Sequence, residues 1–204
     1  MSPQRDAAPT QHVPVPSSHA PAPPPKTGNA TAAVLIAVVL GAAAAVGLGV
    51  FAKVHEPRFY AINVAGFSSG TSVKAWLATI ALLLAVLQLC SAFVMYGLVP
   101  RIKAPPWIGA FHVWSGRLAV LSTVPVAVHC LYALGFQSYD ARVLAHSILG
   151  CFFYGAFVTK MLVLTRKGVR AWVVPIVGGL VFFGLVFIWL TSALWFFQTK
   201  GVMF

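Results

Sequence analysis

The sequence predicts an all-α integral membrane protein, a bundle of five transmembrane helices running up and down behind a disordered N-terminal tail. Of its 204 residues 59% are hydrophobic and 8% charged, and the mean hydropathy is +0.87, a balance that water-soluble domains do not show. The apolar residues gather in five runs, each long enough at ~1.5 Å per residue to cross ~30 Å of hydrocarbon. Asp6, Glu56 and Asp140, the three acids of the chain, all lie outside those runs. That placement excludes chemistry needing paired carboxylates in the core, such as glycoside hydrolysis, di-iron sites and acidic proton relays.

Residues 1–29 carry Pro3, Pro9, Pro14, Pro16 and the run Pro23 to Pro25 among Ser, Gln, Ala and Thr. Such a composition buries no core, so this is a disordered tail, and residues 30–204 form the transmembrane domain. The first run, about 31–52, is longer than the apolar part of a signal peptide and reads as an uncleaved span. Within it Gly41, Ala45 and Gly49 recur every fourth residue, a small-residue stripe on which another helix can approach closely. The second span covers about 76–98. The third, 108–135, contains Pro125, which predicts a bend and a freed carbonyl. The fourth covers 142–164. The fifth, 172–197, holds Gly178 and Gly179 as a second candidate for close approach. Trp76, Trp107, Trp172 and Trp195 fall near span ends, where an indole anchors at a membrane interface.

Fourteen Lys and Arg give a formal charge of +11, which in a soluble protein would suggest nucleic acid. Here the cations are spread over the tail and the connections, so they point to topology and lipid headgroups, with the bilayer as partner and no nucleic acid. Arg101 and Lys103 in one short loop, and Arg166, Lys167 and Arg170 in another, put the tail inside and the C-terminus outside a multi-pass chain in the plasma membrane. Cys90, Cys130 and Cys151 lie within apolar runs and read as small buried hydrophobes. No CxxCH string is present, so any haem is held without a thioether link.

Three histidines, His112, His129 and His146, lie inside the runs, and an ionisable group there invites a functional reading. Counting along the helices puts His129 about 10 Å and His146 about 12 Å outward of the midplane. Two level imidazoles on adjacent antiparallel helices can ligate an iron porphyrin from both faces, and Gly150, one turn from His146, leaves room for the ring. The residues therefore suggest one non-covalent haem b near the outer face, with His129 and His146 on the iron. The plainer alternative is two interfacial histidines bonded to backbone or water. His112 lies about 15 Å inward with no histidine at its depth. Met161 is its one conceivable His/Met partner, and beside Arg117 it reads as interfacial. Arg142 reads as a solvated loop charge, with a haem propionate as the alternative partner.

The strings FHVWSGRLAVL, PVAVHCLYALGF, AHSILGCFFYGAFVTK and WLTSALWFF resemble a bacterial membrane family known as a domain of unknown function, over about residues 107–197. That family is similar to the cytochrome b561 type, in which a His-Ser-x-x-Gly string opens a haem-binding helix, as His146, Ser147 and Gly150 do here. The resemblance implies a haem protein of electron transport and a Rieske-type iron-sulfur protein as partner. The b561 type has four ligating histidines over successive helices, whereas the second and fifth spans here have none. Only His129 and His146 carry over, as a pair.

The expected function is membrane electron transfer through one b-type haem, exchanging electrons with quinol or an extracytoplasmic redox partner, as an oxidoreductase subunit. One alternative has His55 join His129 and His146 around copper or zinc. Another is a non-catalytic scaffold packing through its glycine faces. A serine hydrolase at Ser115 or Ser122 lacks the GxSxG string.

Overall fold

The computed structural model describes residues 28–61, 63–64 and 66–204. The proline-rich tail, with the disorder expected of it, lies outside the described residues. Five helices follow: α1 (Gly28–Val54), α2 (Gly70–Met95), α3 (Ile108–Leu134), α4 (Ala141–Leu164) and α5 (Val173–Lys200). Each is long and apolar enough to cross a membrane, and no strand occurs among the described residues. Large apolar side chains such as Leu35, Val39, Leu121 and Phe183 face outward from the bundle, a surface that a bilayer would cover and water would not favour.

Local chemistry moves the helix ends away from the hydropathy limits. Helix α2 starts at Gly70, ahead of the expected 76, because Ser69 caps it: Ser72 N–H donates to Ser69 Oγ at 3.2 Å and Ser69 N–H to Ser72 Oγ at 3.4 Å. This reciprocal box, with serine in place of the usual Glu or Gln, recruits the polar stretch Thr71 to Lys74 into the helix. Helix α2 stops at Met95, short of the expected 98, and Gly97 then takes φ +67, a left-handed turn that suits glycine. Asp140 opens α4 by accepting Val143 N–H at 2.7 Å. Helices α3 and α5 each widen to π pitch near their ends, over His129–Leu134 and Leu190–Leu194. In α3 the widening begins one turn after Pro125.

Both π turns lie at one end of the bundle, called the upper end below, with the 55–69 and 135–140 connections and the last residues of the chain. There Trp76 is a clamp inside the fold: its Nε1 donates to Met203 O at 2.9 Å and its ring stacks on Phe204 at 4.7 Å. Trp107 and Trp172 stand exposed at the starts of α3 and α5.

Helix α4 is the hub, packing on α1 and on α5, while α2 packs on α3 and α5. The α1–α4 seam is the closest. A Cβ on Gly41 would strike Gly155 O and Thr159, and one on Gly155 would strike Gly41 O and Ala45. The small-residue stripe of α1 is thus occupied by α4, as close packing of membrane helices requires. Gly178 and Gly179 differ, because a Cβ on either would meet nothing within 4 Å.

Helices α3 and α4 follow each other in the chain yet hardly approach. Two side chains span the gap. Tyr154 Oη donates to Thr123 Oγ1 at 2.9 Å midway along the helices, and Ser147 Oγ donates to Gln137 O at 2.8 Å near the top.

Candidate binding cavity between the third and fourth helices

The gap holds a partly open cavity of about 430 Å³, within the range of ~300–1,000 Å³ usual for small-molecule sites. Tyr154 and Thr123 form its floor, the connection from Gly135 to Tyr139 forms its roof, and α2, α5 and the upper turns of α1 close its sides. It occupies the upper half of the bundle only.

His146 and Gly150 both line it. Gly150 presents open space, since a Cβ there would touch nothing within 4 Å. His146 Nδ1 lies 3.2 Å from Thr191 Oγ1, and the hydroxyl proton of Thr191 goes to the carbonyls of Phe187 at 2.8 Å and Ile188 at 3.0 Å. In the tautomer with its proton on Nδ1, the ring donates to Thr191 and carries its free lone pair on Nε2. The side-chain hydrogen bond of this ring among the described residues runs through Nδ1.

His129 stands elsewhere. The face of α3 toward the cavity is the stripe Thr123, Val126, Ala127, Cys130 and Leu134. His129 is about 100° round the helix from Cys130. It is 6% exposed, not among the lining residues, and its ring lies 6.0 Å from Tyr60, edge to face. The expected pair is therefore not brought into one cavity. His55 stacks between Phe51 at 5.1 Å and Tyr132 at 4.5 Å, with Nε2 buried and without a partner. It does not join His146, and no three His, Cys, Asp or Glu gather as a metal site among the described residues.

His112 belongs to the lower end, in the α2–α3 seam. Its Nδ1 is 2.8 Å from Ser91 Oγ, and its carbonyl accepts from Gln88 Nε2, which lies where a side chain on Gly116 would fall. Gln88, an amide inside an apolar run, was the sequence signal for this cluster. Arg117 lays its guanidinium 5.0 Å over the Trp114 ring. Ser115 and Ser122 donate to carbonyls of their own helix, His112 O at 3.2 Å and Leu118 O at 2.9 Å, the usual habit of hydroxyls on apolar helices.

Two cations line the cavity near its roof, and neither is a loop charge. Arg142 Nη1 donates to Thr191 O at 2.7 Å, and the guanidinium sits 4.0 Å over the Trp195 ring. Lys74 reaches the cavity from the capped first turns of α2. Cys130 and Cys151 also line the wall. The chamber offers an apolar body, one imidazole lone pair and two positive charges.

The model of the Family of unknown function (DUF6529) matches residues 34–204, and the chain belongs to that family. The match takes in all five helices and leaves out the proline-rich tail. No curated protein and no solved structure matches the chain.

Proposed function

We propose that this member of the DUF6529 family is a multi-pass membrane protein of electron transfer whose cavity would hold one non-covalent b-type haem, with His146 binding the iron. The observation that carries the reading is the placement of His146: Thr191 holds its Nδ1 on a side chain that lines the chamber, so that Nε2 is the nitrogen a metal would take. Metal-ligating imidazoles have their other nitrogen held in this way. Gly150, one turn along the same helix, adds no side chain to the space that a flat macrocycle would need. Its iron would supply one-electron exchange. The chain contributes orientation and exclusion of water, through Thr191 behind the ligand and the apolar wall around it.

Helix α3 presents Cys130 to the chamber and turns His129 toward Tyr60. For His129 to act as the second ligand, α3 would have to rotate by about 100°. The π segment that begins at this residue is where such a change of register belongs, because a π turn carries one residue more than the α-helix needs.

In the bilayer the upper end faces outward, with the N-terminus inside, the C-terminus outside and the protein in the plasma membrane. His146 is five residues into α4, about 7 Å below its start. That depth suits exchange with quinol in the outer leaflet or with an extracytoplasmic partner, a Rieske-type iron-sulfur protein being the one that the resemblance to the uncharacterised membrane family implies. A second reading, a non-catalytic assembly protein, is favoured by Gly178 and Gly179, whose open faces serve no contact within the chain.

Reduced-minus-oxidised spectra of the purified chain test the haem. We expect a b-type spectrum, its loss in His146→Ala and its retention in His129→Ala. A colourless chain refolded or expressed with ample haem sinks the reading in favour of the assembly protein. Cysteine labelling at Ser138 and Ser2 from opposite faces of the membrane tests the orientation.

A further inference from the structure

We propose that the cavity takes an amphiphile with an acidic head group, held head-up by Lys74 and Arg142 with its apolar body hanging toward the midplane. The inference shares its cavity with the haem reading and rests on that reading only for which amphiphile is preferred.

The lining is sorted along the helix axes. Thr71, Lys74, Gln137, Tyr139 and Arg142 lie near the roof, whereas Ala78, Val126, Ala127, Phe153 and Leu185 lie lower down. On α4 the distance from Arg142 to Tyr154 is twelve residues, about 18 Å, close to the ~15 Å hydrocarbon depth of one leaflet. A molecule with its head at the roof would end near the middle of the bilayer.

One of the two charges is not balanced among the described residues. Lys74 has no hydrogen bond or ion pair to any described residue. Arg142 is paired with Asp140, Nη2 to Oδ2 at 3.8 Å, while Oδ1 of that carboxylate caps α4; Asp140 itself lies outside the lining. No carboxylate lines the chamber. Cations in a mainly apolar chamber are costly unless an anion meets them, and a carboxylate or phosphate at the roof would meet both. Two sources share this chemistry: the propionates of a porphyrin, and the head of an acyl lipid from the surrounding leaflet.

The test titrates the full-length purified chain in detergent with iron-free protoporphyrin IX and with its dimethyl ester, and in parallel with a fluorescent fatty acid and its methyl ester. In at least one arm the acid should bind about tenfold or more tighter than its ester, the scale of one charge-assisted hydrogen bond. Lys74→Met should erase that preference without weakening the ester, and Lys74→Arg should restore it. Gel filtration and circular dichroism confirm that each variant is folded. Preference in the porphyrin arm alone names the propionate source, and in the fatty-acid arm alone the lipid source. Equal binding of acid and ester, an acid preference that survives Lys74→Met, or no binding in either arm overturns the proposal. Iron-free probes keep the two readings apart. A Lys74-dependent acid preference in a chain whose haem spectrum ignores His146→Ala leaves this inference standing and removes the ligand assignment; a His146-dependent haem indifferent to Lys74 does the reverse.

Discussion

The two seams that α4 makes with its neighbours are opposites. Against α1, glycine meets glycine: Gly41 and Gly155 bring backbone to backbone, and a methyl group on either would collide with a carbonyl. Toward α3 the same helix presents Tyr154, whose hydroxyl reaches Thr123, and above that strut the helices stay apart around the cavity. What differs is side-chain size at two consecutive positions, about 100° apart round one helix. Small residues remove the space between two helices, while a long residue bonded at its tip holds a space open. The contrast teaches that glycines on α4 have two different jobs, since Gly155 closes a seam and Gly150 keeps a chamber clear.

The strongest way to break this comparison is to put the same large side chain at both glycines. Gly155→Leu forces a branched chain into backbone atoms that cannot yield, and should cost more than the ~1–3 kcal/mol of ordinary overpacking. We expect aggregation or loss of a monodisperse peak in gel filtration. Gly150→Leu meets open space and should leave the fold and its thermal midpoint intact. Equal damage from the two would show that the seams are not different.

A second test looks at what Gly150→Leu does to the chamber it leaves folded. Its side chain would fill part of a cavity of about 430 Å³, in which a buried branched chain is worth ~1.5–3 kcal/mol of displaced contact. Porphyrin or amphiphile binding should weaken by about tenfold or more, which corresponds to ~1.4 kcal/mol. Titration of the folded variant measures this, and unchanged affinity would place the ligand elsewhere.

The strut between α3 and α4 carries a smaller effect. Tyr154→Phe removes the bond to Thr123, while the Thr123 hydroxyl still donates to Val120 O at 2.7 Å. With one partner still satisfied, the loss should fall within ~0.5–1.5 kcal/mol. A lowered thermal midpoint with an unchanged elution volume would show a strut; a midpoint that does not move would mean that other contacts set the gap.

The same comparison marks where the sequence was legible. Five apolar runs and the absence of acids within them were enough for an all-helical chain with five helices long enough to cross a membrane. The every-fourth-residue spacing of Gly41 and Ala45 pointed to a close partner, because that spacing is itself the face of a helix. Register along the axes was also readable, His129 lying five residues from the end of α3 and His146 five from the start of α4. Rotation was not. Counting put His129 level with His146 but could not say which way either ring turned, and on α3 it is Cys130 that looks into the cavity. Lys74 and Arg142 were missed for another reason. Hydropathy assigns a cation at the edge of a run to the loop, whereas the Ser69 cap and the Trp195 ring draw these two into the bundle. His146 was singled out by its rarity in an apolar run, but Thr191, which meets its Nδ1, lies 45 positions away in the chain, and no local pattern links them.

The smallest expected effect belongs to a glycine with neither job. Gly178 sits in α5, where a Cβ would meet nothing within 4 Å. If that face is simply unpacked, Gly178→Ala adds a methyl group to open space and removes the backbone freedom of glycine, worth up to ~1 kcal/mol in a helix. The thermal midpoint in detergent should rise slightly, and the elution volume should stay the same. A second copy or a partner helix seated on Gly178 and Gly179 would change the sign, because the added methyl would push it away as one on Gly155 would push α1. The replacement Gly178→Leu amplifies the distinction: a monodisperse chain of unchanged size means an idle face, while a shift to a smaller species means that the glycines of α5 close a seam between chains, as those of α1 and α4 do within one.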